Sequence, residues 1–201
     1  IRMPIIIDGI SYTESETIQD QDLIQALKAN KKITTTQPSL GEIITMWEEL
    51  LKTHDEVFYL PLSKELSGTC RNAIQLASQE PFCGKVIVVD STFACFPIVK
   101  MLEIARDMYA KGYSGTEIKR KIEEEGELFA ILIPENLNAL KNGGRISPAA
   151  AALAGLLKIH PLLKVENGAI DVQDKVRTLS KAYKAGIEAC VKDINTDDYL
   201  W

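Results

Sequence analysis

The stretch KVIVVD, residues 85–90, decides the fold class, because it places four consecutive apolar residues in front of an aspartate. A nearly continuous apolar run is the pattern of a parallel strand covered on both faces. Further apolar strands are predicted at residues 5–7, 57–60 and 128–133. The sequence therefore predicts an α/β protein with a parallel sheet.

Helical patterns lie between these strands. Capping boxes, in which a serine precedes a glutamate by three residues, occur at Ser39–Glu42 and Ser114–Glu117 and predict two helix starts. Apolar spacing predicts further helices over residues 21–30, 69–79 and 96–111. Strands that alternate with helices indicate βαβ units, so we expect helices on the faces of the sheet.

The sequence changes character near residue 135, and we expect two domains, 1–134 and 135–201. The first is the parallel-sheet α/β domain, and the second is part of an α+β domain. The expected order in the second domain is helix, hairpin, helix, and the ENG triplet at residues 166–168 is the hairpin signal. A break is predicted at NGG, residues 142–144, and a helix of small residues over 148–157.

Both ends of the chain are strand-like. It opens at Ile1 among apolar residues and closes on YLW, residues 199–201. These ends predict that the chain is truncated at both termini.

Composition excludes several classes of function. The chain has 201 residues and a formal net charge of −5, and it contains no basic run that would favour nucleic acid. No apolar run reaches the roughly 18 residues of a membrane span, so we expect at most transient membrane contact, without stable insertion. The two histidines lack a ligand-rich neighbourhood and predict no metal site. Four cysteines without a CxxC pair are typical of thiols in a reducing compartment, so we expect a cytoplasmic protein: Cys70, Cys83, Cys95 and Cys190.

The stretch PLSKELSGT, residues 61–69, runs from the end of a predicted strand into a helix. Ligands of open α/β sheets bind at the carboxyl ends of strands, and a helix N-terminus there offers N–H groups to an anion. Ser67 and Thr69 add hydroxyls, and Gly68 lets the backbone come close to a ligand. This turn is a candidate anion site; the alternative is an ordinary N-cap.

Two other polar loops would open near this turn. Thr35 and Thr36 precede the helix that Ser39 caps, and would donate to the same anion if the loops converge; a polar helix start is the alternative. Ser91 follows the strand at 85–90, where Asp90 would either orient Ser91 or cap a helix.

Two arginines are candidates for contact with a carboxylate. Arg145 follows two glycines, and Arg177 follows the predicted hairpin. A guanidinium is planar and binds a carboxylate through two hydrogen bonds. An exposed arginine without a ligand is the alternative for each of them.

Familiar catalytic motifs are missing from the sequence. It contains neither a GxxxxGK[ST] phosphate loop nor a GxGxxG turn. No serine lies in a GxSxG elbow, and neither His54 nor His160 has a local partner that would mark it as a general base. These absences favour a binding protein that needs no cofactor over an enzyme.

In this order the motifs resemble the DegV family of fatty-acid-binding proteins. The similarity extends from about Pro4 to Arg177 and beyond, and Thr36 stands where the family usually has serine. Six blocks in register carry it: TTTQPS (34–39), LPLSKELSGT (60–69), VVDS (88–91), LKNGGRIS (140–147), LLKIHPLL (156–163) and DKVRT (174–178).

The resemblance implies a long-chain fatty acid, such as palmitate, in a tunnel between two domains. Thr35, Ser67 and Gly68 match the residues that contact its carboxylate in the family. The resemblance further implies that the protein presents the lipid to a separate ATP-dependent fatty acid kinase subunit, which performs the phosphoryl transfer. Arg145 and Arg177 match family arginines near the head group or the kinase partner.

Two other functions stay open at this point. The protein would be a lipid sensor if it reports fatty-acid occupancy to a regulator. It would be an acyl hydrolase if Ser67 is a nucleophile, which needs a histidine within about 3.2 Å of its hydroxyl.

Overall fold

The computed structural model describes residues 1–154 and 159–192. It confirms an α/β protein with a pair of parallel strands and several helices. The chain divides into two compact units, Ile1–Glu127 and Leu128–Trp201. The division falls earlier than the boundary at residue 134 placed from the sequence, because the strand near residue 130 pairs with strands of the second unit. Within the described ranges, no helix is both long enough and apolar enough to cross a membrane.

The first unit contains the following elements. Its strands are β1 (Ile5–Ile7), β2 (Ile10–Tyr12), β3 (Ile33–Thr35), β4 (Val57–Tyr59) and β5 (Val86–Val88). Its helices are α1 (Asp20–Lys28), α2 (Leu40–Leu51), α3 (Thr69–Ala77), α4 (Phe96–Ala110) and α5 (Gly115–Glu125).

β1 is the central strand of a three-stranded antiparallel sheet with the order β2–β1–β3. Asp8 and Gly9 turn the chain from β1 into β2 with φ values of 50° and 88°, as a two-residue hairpin turn requires. The strand predicted at residues 5–7 is confirmed, and both of its edges carry antiparallel partners, so β1 is not part of the parallel sheet. Thr35 pairs with Ile5, so the polar loop predicted before the Ser39-capped helix begins with the last residue of strand β3.

The parallel strands β4 and β5 form the sheet that the sequence predicts. Val57 pairs with Val86 and Tyr59 pairs with Val88, and α3 makes the connection between the strands. Every residue of β5 is buried, as its apolar sequence requires. The loops after both strands begin at the same edge of this sheet, because the strands run in the same direction.

Trp47 of α2 lies in the core between α2 and the parallel strands. Its side chain is fully buried and contacts Tyr59 and Phe82 edge-on, with ring centroids 5.4 and 5.3 Å apart. Both predicted capping boxes are present: the Ser39 hydroxyl accepts from the Glu42 N–H, and Ser114 caps α5 in the same way. The start of α2 and the ends of β4 and β5 are therefore fixed against one core.

The outer edge of β5 is covered by two side chains of α5. Lys119 Nζ donates to the Val88 carbonyl at 2.6 Å, and Glu123 Oε1 accepts from the Asp90 N–H at 2.7 Å. The two side chains lie one helical turn apart and also pair with each other at 3.4 Å. They satisfy backbone groups that a further strand would otherwise bind.

The second unit contains a three-stranded antiparallel sheet with helices. Its strands, in the order β6–β7–β8, are β6 (Phe129–Leu132), β7 (His160–Glu166) and β8 (Ala169–Val176). Its helices are α6 (Leu137–Gly143), α7 (Pro148–Ala152) and α8 (Leu179–Val191).

The hairpin predicted in this unit is confirmed, whereas the prediction of a buried strand at residues 128–133, which corresponds to β6, is wrong. Asn167 and Gly168 connect β7 to β8 with φ values of 51° and 76°. β6 pairs antiparallel with β7 and does not join the parallel sheet. Phe129 and Leu132 are exposed, so β6 is not the buried strand that its apolar sequence indicates.

The predicted NGG break is confirmed, and it lies at the last residue of the triplet. α6 continues through Asn142 and Gly143 and ends at Gly144, whose φ of 68° is the left-handed conformation that glycine adopts at helix ends. The short α7 is capped by Ser147, whose hydroxyl accepts from the Ala150 N–H. α7 ends at Ala152, so the small-residue helix predicted over 148–157 is shorter than expected. Its residues 155–157 lie outside the described residues, as does the strand-like end at 199–201.

Candidate functional site

Two buried hydroxyls lie at the N-terminus of α3. Ser67 Oγ and Thr69 Oγ1 are 2.8 Å apart, and Ser67 Oγ also accepts from the Thr69 N–H at 3.3 Å. Gly68 is the N-cap residue and supplies no side-chain cap. The hydrogen bond between the Ser67 and Thr69 hydroxyls uses one of their two protons, so the pair retains one O–H donor for an anion.

The loop after β3 contacts this turn through Gln37. Gln37 Oε1 accepts from Asn72 Nδ2 at 3.0 Å, one turn into α3. A Cβ added to Gly68 would lie 2.8 Å from the same Gln37 oxygen, so glycine allows this close approach. The structure thus brings together the two polar loops whose convergence the sequence left open. Gln37 itself was not singled out from the sequence.

The threonines of the same loop differ in their surroundings. Thr35 ends β3 and its side chain is exposed. Thr36 is half-buried, and its hydroxyl donates to the Gln37 carbonyl at 2.7 Å. A hydroxyl has a single proton, so Thr36 in this arrangement has none left to donate to an anion, whereas Thr35 remains a candidate donor.

The loop after β5 lies against the chain segment that leads to Ser67. Ser63 is 1% exposed, and its N–H donates to the Phe93 carbonyl at 3.0 Å. The Ser63 carbonyl in turn accepts from the N–H groups of Leu66 and Ser67. Ser91 is also buried, and its hydroxyl accepts from the Phe93 N–H at 3.4 Å. A serine in each loop therefore holds its own turn together.

Asp90 neither orients Ser91 nor caps a helix, so both interpretations from the sequence are wrong. Its carboxylate binds Lys64 Nζ at 2.6 Å and lies 3.8 Å from Cys70 Sγ. A lysine that follows β4 attracts Asp90 more strongly than a neutral hydroxyl would. Burial, with a smaller effect of the Asp90 charge, raises the pKa of the Cys70 thiol to about 11. The thiol is therefore protonated at neutral pH and is a poor nucleophile.

The two candidate arginines belong to the second unit. Arg145 follows Gly144 and is exposed, and its guanidinium donates to the Gly143 carbonyl. Arg177 is exposed between the end of β8 and Thr178, which caps α8. Their roles toward a carboxylate stay predictions. Among the residues that the structure describes, no group of histidine, cysteine, aspartate and glutamate side chains could hold a metal ion.

The parallel strand pair, with the Ser67–Thr69 turn at the edge where its strands end, places the chain among α/β proteins. A family model described as "Uncharacterised protein, DegV family" matches residues 1–199. The chain belongs to the DegV family.

Comparison with individual proteins agrees with this assignment. A DegV domain-containing protein of Staphylococcus aureus is 30% identical over 181 residues, or 89% of this chain. The match covers 63% of that protein, so this chain spans less than two thirds of the length of such relatives.

Two solved structures are similar in fold. A fatty-acid-binding DegV family protein from Streptococcus agalactiae is 30% identical with a TM-score of 0.84, and the match covers 99% of this chain and 71% of that one. A DegV family protein from Thermus thermophilus, described for its fatty-acid binding, is 29% identical with a TM-score of 0.82, covering 94% of this chain and 68% of that one.

Proposed function

We propose that this protein binds a long-chain fatty acid and contacts its carboxylate through Ser67, Gly68 and Thr35. The observation that carries the proposal is the buried Ser67–Thr69 hydroxyl pair at the start of α3, joined to the Thr35 loop through Gln37. Fatty-acid binding by the similar proteins from Streptococcus agalactiae and Thermus thermophilus supports this choice of ligand.

The chemistry of the turn suits a carboxylate. The first N–H groups of a helix have no partner within the helix, and the helix dipole places partial positive charge at this end. The hydroxyl pair adds one O–H donor beside these groups. Because Gly68 has no side chain, Gln37 can lie against the turn and hold the Thr35 loop beside these donors. Together the helix N–H groups and the O–H donor would bind a carboxylate and orient the ligand.

The acyl chain would supply most of the binding free energy. About fourteen methylenes at ~0.8 kcal/mol each contribute roughly 11 kcal/mol before the costs of association. The few polar groups at the turn would then set orientation and selectivity for an acid. The tunnel that the family resemblance implies for the acyl chain stays a prediction.

We further propose that the bound lipid is presented to a separate ATP-dependent kinase subunit. In this scheme the protein is no enzyme itself, and the partner transfers the phosphoryl group to the carboxylate. Arg145 and Arg177 are the residues we assign to the head group or to this partner, since both are exposed cations. Affinity capture with the lipid-loaded protein as bait tests this assignment: recovery of an ATP-binding kinase supports it, and recovery of a transcriptional regulator instead supports a lipid sensor.

The alternative of an acyl hydrolase gains nothing from His54. That ring lies at the end of α2, with Nδ1 2.9 Å from Thr53 Oγ1 and 3.1 Å from the Leu50 carbonyl. The oxygen at hydrogen-bond distance from Ser67 Oγ is the Thr69 hydroxyl, which is no general base at neutral pH. Hydrolysis of a p-nitrophenyl acyl ester that Ser67→Ala abolishes would support the hydrolase and contradict our proposal.

Denaturing extraction followed by mass spectrometry tests the binding function directly. We expect the purified protein to release about one fatty acid per chain, as a single enclosed apolar site would hold. The mass then gives the chain length and the number of double bonds. A folded protein that releases no lipid and takes up no palmitate from solution would show that the proposed ligand is wrong.

A further inference from the structure

Three contacts hold the segment that leads into the Ser67–Thr69 turn. The Ser63 N–H binds the Phe93 carbonyl at 3.0 Å, and the Ser63 carbonyl accepts from the Ser67 N–H at 3.0 Å. Between these backbone contacts, Lys64 Nζ binds Asp90 Oδ2 at 2.6 Å. The turn is therefore attached to the loop after β5 by a backbone hydrogen bond and an ion pair.

Asp90 is itself held in place from a second direction. Its N–H donates to Glu123 Oε1 at 2.7 Å, so α5 fixes the backbone at the residue whose carboxylate binds Lys64. The Lys64 and Asp90 side chains are 46% and 28% exposed, which makes this pair only partly screened by solvent on the aspartate side. A continuous series of contacts thus extends from α5 through Asp90 and Lys64 to the turn.

We propose that the Lys64–Asp90 ion pair positions the Ser67–Gly68–Thr69 turn for a carboxylate ligand, with neither charge contacting the ligand. This inference rests on the proposed fatty-acid binding and adds two positioning residues to it. Lys64 lies three residues before Ser67, so a shift of the segment moves the Ser67 hydroxyl and the Gly68 backbone together. The aspartate neutralises the ammonium group, so the pair contributes geometry with little net attraction for an anion.

If the ion pair positions the turn, breaking it should lower the preference of the protein for a carboxylate over an uncharged head group. Palmitate and hexadecanol have the same number of carbons, so the ratio of their dissociation constants reports on the head-group site and largely cancels the contribution of the hydrocarbon chain. Lys64→Met and Asp90→Asn each remove the ion pair and keep most of the side-chain volume. Lys121→Met is the matched control, because Lys121 forms a similar exposed pair with Glu125 on α5.

The two possible roles of Lys64 predict opposite signs for Asp90→Asn. If the pair positions the turn, each single variant lowers the preference for palmitate by roughly two- to fivefold, as expected for loss of a partly exposed ion pair. The double variant then loses no more than either single variant, because the second change removes a contact already broken. If Lys64 instead attracts the carboxylate directly, Lys64→Met lowers the preference and Asp90→Asn raises it.

Measurements on the unaltered protein separate this inference from the proposed function. If that protein does not bind palmitate, the fatty-acid proposal itself fails. If it prefers palmitate while Lys64→Met and Asp90→Asn behave like Lys121→Met, the positioning role alone is wrong. Thermal unfolding of each variant checks that it is folded. If Asp90→Asn does not fold, Asp90→Ala takes its place, because it also removes the charge of Asp90 and the two roles of Lys64 again predict opposite signs.

Discussion

Replacing Ser67 by alanine tests the centre of the candidate site. The change removes the acceptor of the Thr69 N–H and the hydrogen-bond partner of the Thr69 hydroxyl. Both groups lie in a buried turn, so we expect the free energy of unfolding to fall by about 1–2 kcal/mol. That loss is modest for a domain of this size, and the variant should remain folded.

The expected effect on fatty-acid affinity is larger than the effect on stability. A hydrogen bond to a charged group contributes about 1.5–3 kcal/mol, so losing it should raise the dissociation constant for palmitate roughly 10- to 150-fold. The rest of the affinity comes from the acyl chain, which Ser67→Ala leaves unchanged. Binding should therefore be weakened and not abolished.

Displacement of a fluorescent fatty acid by palmitate measures this change. Ser78→Ala is the matched control, since Ser78 lies at the other end of α3 and its hydroxyl binds the Gln75 carbonyl at 2.7 Å. We expect the control to keep its affinity within about twofold, as is usual for exposed positions. A folded Ser67→Ala protein that binds palmitate as tightly as the Ser78→Ala control would refute the assignment of the carboxylate to this turn.

Three further predictions concern stability. Gly68→Ala should cost about 0.5–1.5 kcal/mol in urea denaturation, because its Cβ displaces Gln37 and breaks the contact with Asn72, and adding Gln37→Ser should recover part of that loss. Trp47→Ala should cost about 3–5 kcal/mol and Trp47→Phe distinctly less. The hydrogen bond from Ser147 lowers the pKa of Asp171. The ionised Asp171 carboxylate stabilises the fold fully at a pH above the pKa that this carboxyl has in the unfolded chain. The stabilisation is lost as the pH falls through its lower pKa in the folded protein. Asp171→Asn should therefore make the free energy of unfolding depend less on pH in the acid range.

Each of these predictions has an outcome that contradicts it. Equal stability losses for Gly68→Ala with and without Gln37→Ser would show that the two residues do not interact. The buried indole Nε1 of Trp47 has no hydrogen-bond partner among the described residues. Replacing Trp47 by phenylalanine therefore removes ring volume but no hydrogen bond, which is why the predicted loss of stability is smaller than for alanine. Identical losses for phenylalanine and alanine would contradict it. An unchanged acid profile in Asp171→Asn would exclude a contribution from that carboxylate.

Local patterns predicted the elements more reliably than their partners. The apolar run at β5 and both capping boxes depend on residues within one short segment, and the structure confirms them. β6 has the same apolar character, but its neighbour is β7, more than thirty residues later in the chain. Which strand pairs with which is decided by long-range packing, and the apolar content of a strand does not encode it.

The candidate site shows the same division. The sequence indicated Ser67, Gly68 and Thr69, because hydroxyls and glycine at a strand–helix junction form a local pattern. The contacts that connect the loops, Gln37 to Asn72, Lys64 to Asp90 and Asp90 to Glu123, span 35, 26 and 33 positions. No periodicity marks such pairs. A lysine in the turn and an aspartate at the end of a neighbouring parallel strand were the available signal for the ion pair.

The cover that α5 places on the outer edge of β5 also bears on the solubility of the protein. A strand edge with unpaired N–H and C=O groups is a template on which a second molecule can add a strand. Lys119 and Glu123 occupy the Val88 carbonyl and the Asp90 N–H, so such a strand finds these two groups already bonded. Two charged side chains, of a kind often regarded as dispensable surface, thereby protect a strongly apolar strand from self-association.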